Sequence, residues 1–273
     1  DGNEYILGTA TDGKKGYVFT YNKIVEFDPT TKNTSLVYTI PEKYRINVFS
    51  FIVSSPNGKI YIGGIGTIEE STFYQPIIFE LDPASKQVAY LPPHPSNLVY
   101  TLSAYTTEQY LYCDGGWDPE FGTDSEKPER WRYDILAKKW EKLETQSITY
   151  QGQILPLLSF RYKNRIFRFG YSPNNFIPSL FRFDAVTENW EKLGEFENLQ
   201  NLIAGQVPVV GNKAYFESNS GLVQMNLDDY SVKRIDLGGN SHNLVNFMVI
   251  GDKIYSTSFN KIYETDPAYF KYD

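Results

Sequence analysis

The sequence predicts an all-β chain, a six-bladed β-propeller of four-stranded antiparallel blades, on three observations. Aromatic residues make up 16% of the chain, with 22 Tyr and 18 Phe, a composition that favours pleated, half-buried strands. An aromatic-centred strand recurs six times, at Tyr17 (GYVF), Tyr61 (KIYIGG), Tyr112 (LYCDGG), Phe167 (RIFRFG), Tyr215 (KAYFES) and Tyr255 (KIYSTS), with spacings of 44, 51, 55, 48 and 40 residues. A second marker ends the following strand in each unit: Asp28, Asp82, Asp134, Asp184, Asn226 and Asp266. No segment carries a helical period over a useful length, which argues against a parallel α/β fold.

Each unit reads as strand A, a tight turn, strand B, a loop of variable length, strand C, a short turn opened by the acid or Asn, and strand D. Asn47, Asn97, Asn201 and Asn243 open apolar A strands, which end in turns such as SSPNGK, YKNR, VGNK and IGDK. Gly or Asn in those turns supplies the positive φ that tight hairpins need. Six residues past the acid come Val88, Trp140, Trp190, Val232 and Tyr272; the first unit has Thr34 there and Leu36 two later. A lone four-stranded sheet leaves both faces bare, and stacking repeats against one another buries them.

The blades fall at about residues 1–41, 42–93, 94–146, 147–197, 198–238 and 239–273 of one propeller domain. Residues 4–10 (EYILGTA) resemble the third unit's VYTLSA, so the chain enters at strand A. It stops at Tyr272-Asp273, where strand D of the sixth blade is due. The expectation is an incomplete last blade with an open edge, in a chain that belongs to something longer.

Gly63-Gly64 and Gly115-Gly116 after an aromatic strand, then an aromatic-Asp pair, then Trp140 or Trp190 followed by Glu-Lys-Leu, resemble the kelch repeat. The likeness spans the chain and is most specific in units two to four; units one, five and six lack the Gly pair and the Trp. It implies that the Gly pair ends strand B in a tight geometry and that the two Trp pack between blades. It also implies that one face holds a partner. Some propellers similar to kelch ones are sugar epimerases, lyases or oxidases.

Charge and composition narrow the function. The net charge of −7 without a basic run argues against nucleic-acid binding, which needs a cationic face. The longest apolar run falls far short of the ~20 residues of a membrane span. Cys113 is the one cysteine, so no intrachain disulfide and no cysteine-based metal site forms; it reads as a small buried hydrophobe. The sequence shows no HExxH, Walker A or G-x-S-x-G motif, and neither a cofactor nor a metal is expected. The acids of DPEFGTDSE lack EF-hand spacing. The non-Met start and acidic, Tyr-rich composition point to a secreted or extracytoplasmic protein, with a cytoplasmic location left open. The sequon Asn33-Thr34-Ser35 matters only in the first case. The oligomeric state is not legible.

In a propeller with this strand order the B–C and D–A loops share one face. From the strand-B aromatic to the strand-C acid or Asn there are 11, 21, 22, 17, 11 and 11 residues in the six units. Long loops cost little free energy, about 0.6 kcal/mol per doubling, and sites are built on them. The asymmetry places a candidate site over blades two to four. The second loop carries Glu69, Phe73 and Tyr74; the third carries Trp117, Asp118, Phe121 and Arg130; the fourth carries Tyr171, Asn174 and Asn175. Aromatic plates beside amides and carboxylates suit sugar stacking, and equally a protein interface.

His94 and His242 are the two histidines. Both lie in D–A loops just before the repeated Asn, and Arg45 lies two before Asn47. Strand A is the innermost strand of a blade, so these residues are expected to rim a channel mouth, where Asn97, Asn201 and Asn243 join them. His, Arg and carboxylates in a concave mouth form a workable acid/base set. Two readings stand: a module that binds a protein or glycan partner on the B–C/D–A face, and a carbohydrate lyase or epimerase using His94, His242 and Arg45, with Tyr44 or Tyr171 beside them. Copper-radical oxidation is disfavoured by the scarcity of histidines. Whether the chain is an enzyme stays open.

Overall fold

The computed structural model describes residues 6–68, 75–95, 103–114, 129–144, 158–171, 177–199, 202, 206–218, 221–236, 246–258, 261–267 and 271–272. They form six small antiparallel sheets in chain order, so the fold is a six-bladed β-propeller, as the repeats predict. The chain divides into two compact units, residues 1–147 and 148–273. Among the described residues no helix is long and apolar enough to cross a membrane.

The first unit holds three sheets. The first is β1 (Ile6–Thr11), β2 (Gly16–Thr20), β3 (Lys23–Asp28) and β4 (Asn33–Thr39). The second is β5 (Tyr44–Ser54), β6 (Ile60–Ile68), β7 (Gln75–Asp82) and β8 (Gln87–Tyr90). The third is β9 (Ser103–Thr106), β10 (Tyr110–Asp114), β11 (Arg130–Asp134) and β12 (Lys139–Leu143). Within each sheet the strands pair in sequence order, and β5 lies against both β1 and β9. The A strands thus form the inner layer of this unit.

The period-2 pattern explains the packing. Ile60 and Ile62 turn toward the first sheet and join a core with Tyr17, Phe19 and Ile24. Tyr61, between them, turns the other way and packs with Leu111, Cys113, Tyr133 and Trp140 of the third sheet. Burying one such side chain is worth about 2 kcal/mol. Trp140 and Cys113 are core residues, as expected, at 8% and 2% exposure; burial pushes the Cys113 thiol well above its ordinary pKa.

The second unit repeats the plan with β13 (Leu158–Tyr162), β14 (Arg165–Tyr171), β15 (Pro178–Asp184) and β16 (Asn189–Glu195). The fifth sheet follows, with β17 (Val209–Val210), β18 (Lys213–Ser218), β19 (Gly221–Asn226) and β20 (Val232–Asp236). The sixth is β21 (Phe247–Ile250), β22 (Lys253–Ser258) and β23 (Lys261–Thr265). Phe167, Phe169 and Leu180 pack on Ala214, Phe216 and Met225, and Tyr215 and Leu222 pack on Phe247 and Ile254. Trp190 is buried under the Arg168 guanidinium, which sits 4.0 Å from the ring centroid.

The repeated acid has a structural role. Asp28, Asp82, Asp134 and Asp184 each accept, through Oδ1, the backbone N–H groups two and three residues on. Asn226 accepts the N–H of Asp228. These Asx turns end at residues with positive φ: Lys32, Lys86, Lys138, Glu188 and Tyr230. The A–B turns use Gly58, Gly211 and Gly251 for the same purpose, but YKNR uses Lys163 rather than Asn164.

Two expectations need correction. Strand B of the second blade does not end at Gly63-Gly64; β6 continues to Ile68. Gly63 is needed for packing, because a Cβ there would lie 2.1 Å from the ring of its register partner Phe51. Tyr272 does not begin an outer strand of the sixth blade. The pair β24 (Lys271–Tyr272) instead hydrogen-bonds to β20 and gives the fifth sheet a fifth strand. The free edge of β20 offers N–H and C=O groups that satisfy those of β24. The sixth sheet has three strands among the described residues.

Candidate functional site on the third blade

The longest B–C loop leaves β10 after Asp114 and re-enters β11 at Arg130. Asp114 and Arg130 are register partners. Arg130 donates from Nε to Asp114 Oδ1 (3.2 Å) and from Nη2 to the Tyr105 hydroxyl (3.2 Å). That hydroxyl donates to Asp114 Oδ2 (3.0 Å). All three residues are at most 6% exposed. Tyr105 also stacks on Tyr112, with centroids 4.9 Å apart and planes 5° apart. Burial by itself would lower the Arg130 pKa; the charge of Asp114 and the bond to Tyr105 outweigh it and raise it further. The guanidinium therefore stays charged, and the triangle ties the two roots of the loop to inner strand β9.

Sequence reasoning put Arg130 in the loop and passed over Asp114 and Tyr105. A signal was present. Four residues before the strand-C acid, the other blades carry Ile24, Ile78, Leu180, Leu222 and Ile262; only the third carries a charge. Two residues past the strand-B aromatic, the others carry Phe19, Gly63, Phe169, Glu217 and Thr257. Glu217, at that place in the fifth blade, is half-buried, and burial pushes its carboxyl pKa up.

The opposite face of the third blade carries an aromatic group. His94 meets Trp140 edge-on at 4.5 Å and Trp131 at 5.6 Å. Trp140 Nε1 donates to the Pro92 carbonyl (3.0 Å), which fixes the segment that bears His94. Trp131 Nε1 donates to Glu129 (2.9 Å), which also takes the Lys142 ammonium. His94 thus stands beside β11 and β12, the outer half of the sheet, and not at inner strand β9. The imidazole packs against both indoles in T-shaped contacts, at interplanar angles of 67° and 65°.

The remaining expected site residues are placed only in part. Arg45 and Tyr171 lie in β5 and β14, paired with Thr67 and Pro178. Tyr44 stacks on Tyr90 at 3.8 Å. Glu69, Phe73, Tyr74, Asn97, Trp117, Asp118, Phe121, Asn174, Asn175, Asn201, His242 and Asn243 lie outside the described residues. Among the described residues, no three His, Cys, Asp or Glu side chains come together as a metal site requires.

No protein-family profile and no curated protein sequence matches the chain. Its fold is that of known structures. A structure titled "Structure of YjhT" aligns with a TM-score of 0.59 at 14% identity, covering 96% of this chain and 94% of that one. An oligogalacturonate lyase in complex with manganese aligns with a TM-score of 0.58 at 12% identity, covering 97% and 77%. The oligogalacturonate lyase from Vibrio parahaemolyticus gives 0.56 at 12%, covering 98% and 78%. At these identities the likeness is one of fold.

Proposed function

We propose that this chain is a kelch-like binding propeller that holds a protein or glycan partner on its B–C/D–A loop face, centred on the third blade. One observation carries the reading: Tyr105, Asp114 and Arg130 form a buried, hydrogen-bonded triangle at the roots of the longest loop. A buried ion pair adds little net stability over apolar residues of the same volume, and the other blades fill these positions mostly with apolar side chains. A pair that binds the two ends of one loop instead fixes where that loop stands. Trp117, Asp118 and Phe121 on that loop are the proposed contacts, with Glu69, Phe73 and Tyr74 from the second blade's loop.

A second reading, a carbohydrate-active enzyme of lyase or epimerase type, draws support from the fold shared with the oligogalacturonate lyases. It would use His242 and Arg45, with His94 as the third group. The packing of His94 between two indoles favours the binding reading. The proposed location remains secreted or extracytoplasmic.

The test is incubation of the protein with a panel of neutral and acidic glycans, read by retention and by product mass. Retention without turnover, lost in Trp117→Ala and Phe121→Ala, supports the glycan-binding reading. Turnover lost in His242→Ala replaces it with the enzyme. If neither is seen, a pull-down with the intact chain and with a loop-shortened variant decides for a protein partner. Equal capture by both forms sinks the loop-face reading altogether.

A further inference from the structure

The tight-turn ends of the fourth and fifth blades lie at the opposite end of the strands from the loop face. They enclose an open depression of about 510 Å³ lined by Arg161, Tyr162, Lys163, Val209 and Gly211. Among the described residues that line it are two cations, Arg161 and Lys163, in a chain of net charge −7.

Asp228, beside Tyr162 and Lys163, is already engaged. Tyr162 donates its hydroxyl to Asp228 Oδ1 (2.9 Å), and Asn212 Nδ2 donates to Asp228 Oδ2 (2.7 Å). Asn212 also donates to Asn226 Oδ1 (3.1 Å). These bonds hold the Asp228 carboxyl below its ordinary pKa, the Asn212 bond most of all. They also link the turn of the fourth blade to the fifth. Lys163 Nζ stands 3.6 Å from Asp228, a loose pairing, with its side chain 70% exposed. It lies 4.6 Å from the Tyr162 ring centroid. An ammonium has three donors and a guanidinium five, so one acid at 3.6 Å leaves Lys163 with donors to spare.

We propose that this depression binds a small oxyanion, a carboxylate or a phosphate. Lys163 and Arg161 supply charge-assisted donors to it, and Val209 and Gly211 supply its apolar wall. The proposal is independent of the loop-face reading and survives its failure.

The test is titration of the whole chain with inorganic phosphate and, separately, with glucuronate, followed by amide chemical shifts. Glucose is the uncharged control. Saturable shifts centred on Lys163 and Gly211 are expected with an anion and none with glucose; which anion binds more tightly decides between phosphate and carboxylate. Arg161→Gln and Lys163→Asn should each weaken binding about tenfold, in variants that keep the folded spectrum. Asn is chosen at 163 because it tolerates the positive φ of that turn (53°). The absence of saturable shifts with both anions at millimolar concentrations overturns the proposal, and so does binding that survives the double variant.

Discussion

Arg130 and Asp114 oppose each other on adjacent strands, Nε to Oδ1 at 3.2 Å, with both side chains only 7% exposed. Between them in sequence runs the longest loop of the chain. The pair therefore acts as a clasp at the loop's base, and Tyr105 holds the clasp to the inner strand.

Breaking the clasp on one side leaves a buried, uncompensated charge. Arg130→Met or Asp114→Leu alone should cost about 3–5 kcal/mol, while the double change should be near neutral or stabilising. Urea unfolding of the three variants measures this. The double variant should still lose partner retention, because the loop roots are released. Single changes costing under about 1 kcal/mol would mean that the charges are not held out of water.

Gly63 has no room for a side chain. Gly63→Ala should cost about 1–3 kcal/mol by forcing the Phe51 ring aside, since the new Cβ would sit 2.1 Å from it. Thermal unfolding of Gly63→Ala, and of the same change with Phe51→Leu, checks the cause. Recovery in the double variant is expected; additivity of the two losses would place the strain elsewhere.

The Asx-turn acids tie stability to pH. Backbone N–H groups lower the pKa of Asp28, Asp134 and Asp184. The Lys59 ammonium, with Ser85 and Ala84, lowers that of Asp82 to about 2. A depressed folded-state pKa gives stability that is present above the unfolded value, near 3.9, and is lost as pH falls through the folded value. Unfolding midpoints should therefore drop between about pH 4 and pH 2. Asp82→Asn should show a smaller drop across that window; an identical drop would remove Asp82 from the account.

His94 separates packing from chemistry. His94→Phe keeps a flat ring against Trp131 and Trp140, whereas His94→Ala opens a gap. Calorimetry should show little change for Phe and a loss of about 1–2 kcal/mol for Ala. Glycan retention should survive His94→Phe. Loss of an enzymatic turnover in that variant, at full stability, would return His94 to the acid/base role.

The blade register was legible because its markers are local. Tyr17, Tyr61 and Tyr255 each stand opposite a glutamate on strand C, Glu26, Glu80 and Glu264. In the third and fourth blades Arg132 and Arg182 take those places and turn to Glu141 and Glu191 on strand D. Such cross-strand pairs repeat wherever a hairpin repeats, so a single chain displays them several times. The clasp does not repeat. It joins positions 105, 114 and 130, and its one sequence sign was a charge in a column of Ile and Leu.

By itself the sequence determined the number of blades, the four-strand plan, the short turns after strand C and the burial of Trp140, Trp190 and Cys113. These follow from period-2 patterning and turn chemistry, which act over a few residues. Only the tertiary structure decided that His94 packs beside an outer strand, that Gly63 makes room for Phe51, and that Lys271–Tyr272 joins β20 rather than β23. Each depends on which surface meets the residue from another strand or blade. That choice is made by shape and by free backbone groups far away in sequence, where no local pattern records it.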